Sequence, residues 1–264
     1  MDAPLLILQI TDLHILAEPG KTMAGVDTEL YFSRVLQYAQ KRHSSADLML
    51  VTGDLVQNPS QQSYQRIYTE LKKYQTRTLC LPGNHDDLTL MQQIINGKQI
   101  NCNKNFKFKH WQIICLNSKK TGSQGGLLAA DELIYLQNTL DKTPDLNTLI
   151  AVHHHPLPTH SAWMDTMMIE NSDELFSILK QYSQVKAITC GHIHQELNTK
   201  KDNKLILGMP STCFQFKPNC TDYTIDKLKP AYRTFSLHAD GKINTQVHRV
   251  PFEIFNIERG PPLV

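Results

Sequence analysis

The sequence lacks a cysteine framework, a strong charge of either sign and any long apolar run, and each absence removes a class of protein. Its six cysteines are scattered, with no C-x-x-C pair, and in a chain of this size they read as reduced core thiols of a cytoplasmic protein. Cys80 and Cys190, just ahead of polar loops, read as small buried hydrophobes rather than ligands. A formal net charge of +2 gives no reason to expect a nucleic-acid binder or a membrane-surface protein. No segment has the length of a membrane-spanning helix. The opening MDAPLLILQI has no basic stretch, and its apolar run is too short for a signal peptide. Repeats, low-complexity segments and breaks in composition are also missing, so residues 1–264 are expected to form one domain.

What is present is an alternation of apolar strands and amphipathic helices. A strand is expected at Leu5–Ile10, a helix from about Thr28 to Lys41 and a second strand at Leu48–Val51. A helix from about Gln62 to Tyr74 and a strand at Arg77–Leu81 follow, a βαβ pattern. Phe106–Leu116 reads as a half-exposed strand pair, Ala130–Leu140 as a helix and Leu149–Val152 as a buried strand. A helix near Asp173–Gln181 precedes a strand at Ala187–Thr189, and antiparallel strands are expected from Leu205 onward. Asp240-Gly241 signals a hairpin between Thr234–His238 and Ile243–His248. The expected class is α/β, two sheets packed face to face with helices outside.

Five of the strands run into polar motifs: Asp12-Leu13-His14, Gly53-Asp54, Gly83-Asn84-His85-Asp86, His153-His154-His155 and Gly191-His192-Ile193-His194. Ligands of open α/β sheets bind beyond the carboxyl ends of strands. Asp, neutral imidazole and one amide carbonyl are ligands for borderline to hard divalent metals. Residues two apart on extended chain share a face, so Asp12 can act with His14, and His192 with His194. By the same alternation three adjacent imidazoles cannot converge, so one of the triplet is expected to join Asp54 and Asn84. Seven ligands are too many for one tetrahedral ion and suit two ions sharing a carboxylate, which clamp an in-line displacement at phosphorus.

In order and spacing these motifs resemble those of the calcineurin-like metallophosphoesterases. CGHIHQEL (190–197), PSTCFQFKP (210–218), PAYR (230–233), AVHHHPLP and TGDLVQ are further similar to the bacterial class III 3′,5′-cyclic AMP phosphodiesterases. The resemblance implies a four-layer αββα sandwich. It implies one ion on Asp12, His14, Asp54 and His194, and a second on Asp54, Asn84, His153 and His192. Iron or manganese is implied, with zinc acceptable. His85 is implied near the phosphate, where it stabilises or protonates the leaving oxygen, with Asp54 as the catalytic bridge. His14, Asp54, Asn84, His85 and His194 then also contact the substrate, a small cyclic nucleotide. A water bridging the ions would lose a proton near neutral pH and attack phosphorus, opening cyclic AMP to 5′-AMP.

His154 is expected to point away from the ions as a packed residue, and His155 to have no metal role. Trp163 is a candidate to stack on the base, with Asn171 and residues 210–218 lining the same pocket. His43, His110, His160, His238 and His248 have no motif around them and read as structural or surface residues. Two other readings are a phosphodiesterase of glycerophosphodiesters or 2′,3′-cyclic nucleotides, and a non-catalytic scaffold of the same fold. The complete ligand set favours an enzyme. The sequence carries no interface signature, and no role is assigned to the C-terminal PPLV.

Overall fold

The computed structural model describes residues 3–251, and the C-terminal PPLV lies outside them. In chain order the first half comprises β1 (Leu5–Ile10), α1 (Thr28–Arg42), β2 (Leu48–Thr52), α2 (Gln61–Leu71), β3 (Thr78–Leu81), α3 (Leu88–Ile94), β4 (Ile100–Asn101), β5 (Asn105–Phe108) and β6 (Trp111–Leu116). Then follow α4 (Ala130–Asp141), β7 (Asn147–Val152), α5 (Ala162–Asp165), α6 (Ser172–Leu179), β8 (Val185–Cys190), β9 (Leu197–Lys201) and β10 (Lys204–Gly208). The last four strands are β11 (Gln215–Phe216), β12 (Ile225–Asp226), β13 (Ala231–Leu237) and β14 (Ile243–Arg249). Among the described residues no helix is long and apolar enough to cross a membrane.

The strands form two six-stranded sheets, ordered β14-β13-β1-β2-β3-β4 and β5-β6-β7-β8-β10-β9. Each central strand is buried on both faces, and its side chains divide between two apolar layers. Ile7 of β1 and Leu48 and Leu50 of β2 meet Trp111, Ile113, Leu149 and Ala187 between the sheets. Leu8, Ile10, Met49 and Val51 turn outward onto Phe32, Val35 and Leu36 of α1 and onto Tyr64 and Ile67 of α2. Ile150, Val152 and Ile188 turn outward onto Leu133 and Leu136 of α4 and Leu175 and Phe176 of α6. This is the αββα sandwich.

The helices begin where capping side chains satisfy their free N–H groups. Asp27 accepts from the Leu30 N–H at 2.9 Å, and the Ser60 hydroxyl accepts from the Ser63 N–H at 3.1 Å. α2 stops at Leu71 rather than Tyr74, because Lys73 and Tyr74 donate to carbonyls only three residues back. α3, seven residues opened by an Asp87 cap, is too short for helical periodicity to reveal.

Two expectations change. β6 is wholly buried, because Trp111, Ile113 and Cys115 pack between the sheets and Ile114 and Leu116 pack in the layer of α4; only β5 is half-exposed. β10 is not part of an antiparallel run: it pairs parallel with β8 and antiparallel with β9. The hairpin at Asp240-Gly241 forms as expected and extends the first sheet beside β1.

Candidate active site

The five motifs follow β1, β2, β3, β7 and β8, and their backbones are tied together. Asp12 and His14 donate their N–H groups to the carbonyls of Gly53 and Asp54, each at 3.0 Å. Gly191 donates to the His153 carbonyl at 3.0 Å, linking the motifs of the second sheet. The His192 N–H reaches the Asp12 carboxylate at 3.0 Å, joining the two sheets. Beneath them Gln9 donates to the Thr52 hydroxyl at 2.9 Å and accepts from the Thr189 hydroxyl at 2.7 Å.

The expected face-sharing of residues two apart holds in result but not in cause. Asp12, His14, Asp54, His192 and His194 all lie past their strands with positive φ, between 45° and 66°. Non-glycine residues adopt this left-handed conformation only at a cost, roughly 1–2 kcal/mol each, and such strain gathers at functional sites. Glycine is required alongside: Gly53 has φ +96°, and a Cβ there would lie 2.2 Å from His153 Nδ1.

Hydrogen bonds fix which nitrogen each imidazole presents. His153 Nδ1 donates to the Thr52 carbonyl at 2.9 Å, and His194 Nδ1 to the Phe214 carbonyl at 2.9 Å. His14 Nδ1 donates to Gln57 Oε1 at 2.8 Å. All three therefore turn Nε2 inward. His153 Nε2 lies 3.3 Å from Asp54 Oδ2 and 3.1 Å from Asn84 Oδ1. His194 Nε2 lies 3.4 Å from Asp12 Oδ1, and His14 Nε2 3.8 Å from Asp54 Oδ2. His192 Nε2 is buried with no hydrogen-bond partner.

These surroundings shift the protonation equilibria in opposite directions. Burial drives His14 down to about 4 and His192 well below the ordinary histidine value. Burial also disfavours the His153 imidazolium, yet the Asp54 carboxylate beside it lifts His153 to about 9. Asp54 in turn is held well below the carboxylate range by His153 and His85, despite its burial. Inward imidazole nitrogens, two buried carboxylates, an amide oxygen and an orphaned Nε2 make a donor set that fits divalent cations. Ligand atoms of Asp12, His14 and His194 lie within 4.8 Å of one another, as do those of Asp12, Asp54 and His153.

The three consecutive histidines overturn one expectation. β7 ends at Val152, so strand alternation does not govern them, and all three rings collect around His192. The ring centroids of His153, His154 and His155 stand 5.1, 4.7 and 5.7 Å from that of His192. Of the three, only His153 offers a nitrogen to Asp12 and Asp54. His154 donates from Nε2 to the Gln124 carbonyl at 3.1 Å and accepts from the Ser118 hydroxyl at 2.7 Å. Both its nitrogens are occupied, so its proximity to His153 and His192 does not make it a ligand. His155 is buried, with Nε2 3.8 Å from Asp165 Oδ1.

His85 stands at the rim, its N–H on Asp54 Oδ1 and its Nδ1 donating to the Gln57 carbonyl, both at 3.0 Å. Asn84 gives its amide hydrogens to Gln124 Oε1, leaving Oδ1 facing inward. Asp86 is a structural pin that its place in the motif did not disclose. It accepts from the N–H groups of Gly83, Leu55 and Val56 and from the Tyr64 hydroxyl. Burial and the nearby Asp54 charge push it up to about 6.

A cavity of about 220 Å³ opens onto His14, Asp54, Asn84, His85, His192 and His194. Its remaining lining is Gln124 and an apolar group of Met23, Trp163, Met164, Met167, Phe214, Phe216 and Tyr223. The aromatic rings form a continuous array: Phe216 stacks on His194 at 4.3 Å, and Trp163 meets Phe216 edge-on at 5.0 Å. Residues 210–218 thus reach the cavity through Phe214 and Phe216. Asn171 does not line it. Its side chain is spent on the backbone N–H and carbonyl of Leu128, at 3.0 and 2.8 Å. Gln124, Tyr223 and the methionines are contributors that no local motif marked, and Gln57 was marked only as the last residue of TGDLVQ, with no role attached.

The calcineurin-like phosphoesterase family matches residues 5–196. The 3′,5′-cyclic adenosine monophosphate phosphodiesterase CpdA of Haemophilus influenzae is 39% identical over 245 residues, covering 92% of this chain and 89% of the relative. A 3′,5′-cyclic-nucleotide phosphodiesterase of Nostoc sp. is 39% identical over 251 residues, covering 95% and 94%. Among solved structures, a dimetal phosphatase of Danio rerio superposes with a TM-score of 0.69 at 13% identity, over 98% of this chain and 100% of that one.

Proposed function

Because the chain belongs to the calcineurin-like phosphoesterase family, we propose that it is a dimetal phosphodiesterase that opens 3′,5′-cyclic AMP to 5′-AMP and so lowers the cyclic nucleotide. The observation that carries this reading is the joining of two features in one cavity. Inward-facing imidazoles and the Asp54 carboxylate form one part, and an aromatic and thioether lining wide enough for a base forms the rest. The two cyclic-nucleotide phosphodiesterases that are 39% identical along nearly the whole chain supply the substrate class.

In this reading Asp12, His14, Asp54 and His194 hold one ion, and Asp54, Asn84, His153 and His192 the other, with Asp54 shared. Bound there, a pair of divalent ions supplies an activated water at neutral pH and charge stabilisation at phosphorus. The remaining work falls to side chains. His85 donates Nδ1–H to the Gln57 carbonyl, which leaves Nε2 for the departing 3′ oxygen; as the imidazolium the ring carries a second proton there and passes it to that oxygen, returning to the Nδ1–H tautomer. Asn84, held by Gln124 through its NH₂, keeps its oxygen towards the ions. Trp163, Phe216 and Tyr223 take the face of the base, and their apolar surface excludes water around the diester. Manganese or iron suits this Asp/Asn/His set, with zinc acceptable. The six free cysteines fit a cytoplasmic setting.

The test is a matched hydrolysis assay on manganese-loaded protein, with cyclic AMP, cyclic GMP, 2′,3′-cyclic AMP and a glycerophosphodiester as substrates and Asn84→Ala as the blank. A preference for cyclic AMP yielding 5′-AMP is expected. Equal or faster turnover of the other diesters overturns the substrate assignment, and no turnover above the blank overturns the enzyme. Elemental analysis of the purified protein identifies the ions.

A further inference from the structure

One residue outside the ligand motifs touches two of the site histidines at once. Gln57 accepts the Nδ1–H of His14 on its side-chain oxygen at 2.8 Å and the Nδ1–H of His85 on its backbone carbonyl at 3.0 Å. The two rings stand edge to face with centroids 5.2 Å apart. Gln57 is itself fixed: its N–H donates to the Ile15 carbonyl at 3.1 Å. The two residues before it give their N–H groups to the buried Asp86 carboxylate.

The geometry points to Gln57 as the positioning residue that sets the tautomer and orientation of both His14 and His85, registering a metal-ligating ring against the ring that serves the leaving oxygen. This rests on the dimetal reading of the site, though not on cyclic AMP as the substrate. An imidazole can offer Nε2 to a cation only with its proton on Nδ1, and an acceptor at Nδ1 fixes that tautomer and the ring plane. An amide oxygen and a main-chain carbonyl are both acceptors only, so each forces the proton onto Nδ1. Because both belong to one residue, movement of the 55–57 segment displaces both rings together.

The experiment is manganese titration of wild type, Gln57→Leu, Gln57→Asn and Gln57→Glu, followed by the spin-resonance signal of the free ion. Leucine has no acceptor, asparagine is one methylene short, and glutamate restores an acceptor of the right reach. Gln57→Leu and Gln57→Asn should bind manganese more weakly by roughly 10–100-fold, the usual effect of losing such a partner, while Gln57→Glu stays within a few-fold of wild type. Long-range ¹H–¹⁵N spectra of the metal-free protein should show His14 protonated on Nδ1 in wild type and Gln57→Glu, and a loss of that preference in Gln57→Asn. Should Gln57→Leu fail to fold, the asparagine and glutamate variants decide. Equal affinity in all variants, or a glutamate variant as weak as the asparagine one, overturns the assignment. Wild type that takes up no manganese overturns instead the dimetal reading beneath it.

Discussion

His14 and His194 turn their Nε2 atoms towards each other at 3.3 Å, although each ring has already placed its proton on Nδ1, facing Gln57 and Phe214. In that tautomer the two rings oppose Nε2 lone pair to Nε2 lone pair. The Asp12 carboxylate lies 3.4 Å from one of them, adding negative charge to the same spot. Nothing in apolar packing favours this arrangement, and a cation satisfies all of it.

Metal removal should therefore lower stability, because the ions bind the folded donor set and not the unfolded chain. A single site at a hundredfold excess of metal over Kd contributes about 2.7 kcal/mol. In a chain of this size that is a rise in Tm of roughly 5–10 °C. Thermal melts with manganese and with chelator check it, and identical curves would show that the donors hold no ion.

Metal binding should release a proton at neutral pH. His153, lifted to about 9, is an imidazolium in the metal-free protein, placing its Nε2 proton against Asp54 and Asn84 where a cation would otherwise sit. A raised histidine value adds stability that is fully present below about 6.5 and disappears as pH climbs towards 9, on the order of 3 kcal/mol. The metal-free protein should thus lose stability between those values, while metal affinity rises over the same window. Calorimetric titration in buffers of different ionisation enthalpy counts the proton; a count of zero at pH 7 contradicts the shift.

Asp54 and His85 should fail in different ways when replaced. Asp54→Ala removes the shared carboxylate and should abolish both metal retention and turnover. His85→Ala should slow cyclic AMP hydrolysis by about 10²–10⁴-fold, the usual worth of a general acid, with metal content unchanged. On a 4-nitrophenyl diester, whose leaving group needs no proton, the same variant should lose far less. Loss of metal in His85→Ala would move His85 into the ligand set.

How much of this was legible in the sequence depends on what holds each part in place. The sheet strands were readable because they are buried on both faces and appear as unbroken apolar runs such as Leu48–Val51. The polar motifs were readable because each follows such a run directly. The αL backbone of Asp12 and His194 was not, since extended geometry gave the same pairing for a different reason. Nor was the gathering of His153–His155 around His192, which depends on where β7 ends. Gln124 and Tyr223 carried no local signal, and Gln57 only its place at the end of TGDLVQ, because their roles exist only once separate loops meet. Asn171 was misplaced for a related cause: a polar residue near the right loop says nothing of the carbonyl that claims it.

Trp163 and Asn171 offer the cleanest contrast between binding and structure. Trp163 lines the cavity and closes the aromatic array that begins at His194, and its backbone N–H donates to the Thr221 carbonyl at 3.2 Å. Base–aromatic stacking is worth roughly 1–3 kcal/mol, so Trp163→Ala should lower kcat/KM for cyclic AMP by about 5–150-fold, expressed mainly in KM. A small diester without a base should be hydrolysed at the wild-type rate, because the metal donors lie beyond the ring. Asn171→Ala should do the reverse. It breaks the hydrogen bonds that hold the Leu128 backbone, at about 1–2 kcal/mol of stability, and should leave KM for cyclic AMP unchanged. Steady-state kinetics on both substrates together with thermal melts separate the two. A Trp163 variant with normal KM would remove the base from this wall, and a raised KM in the Asn171 variant would bring that residue back to the substrate.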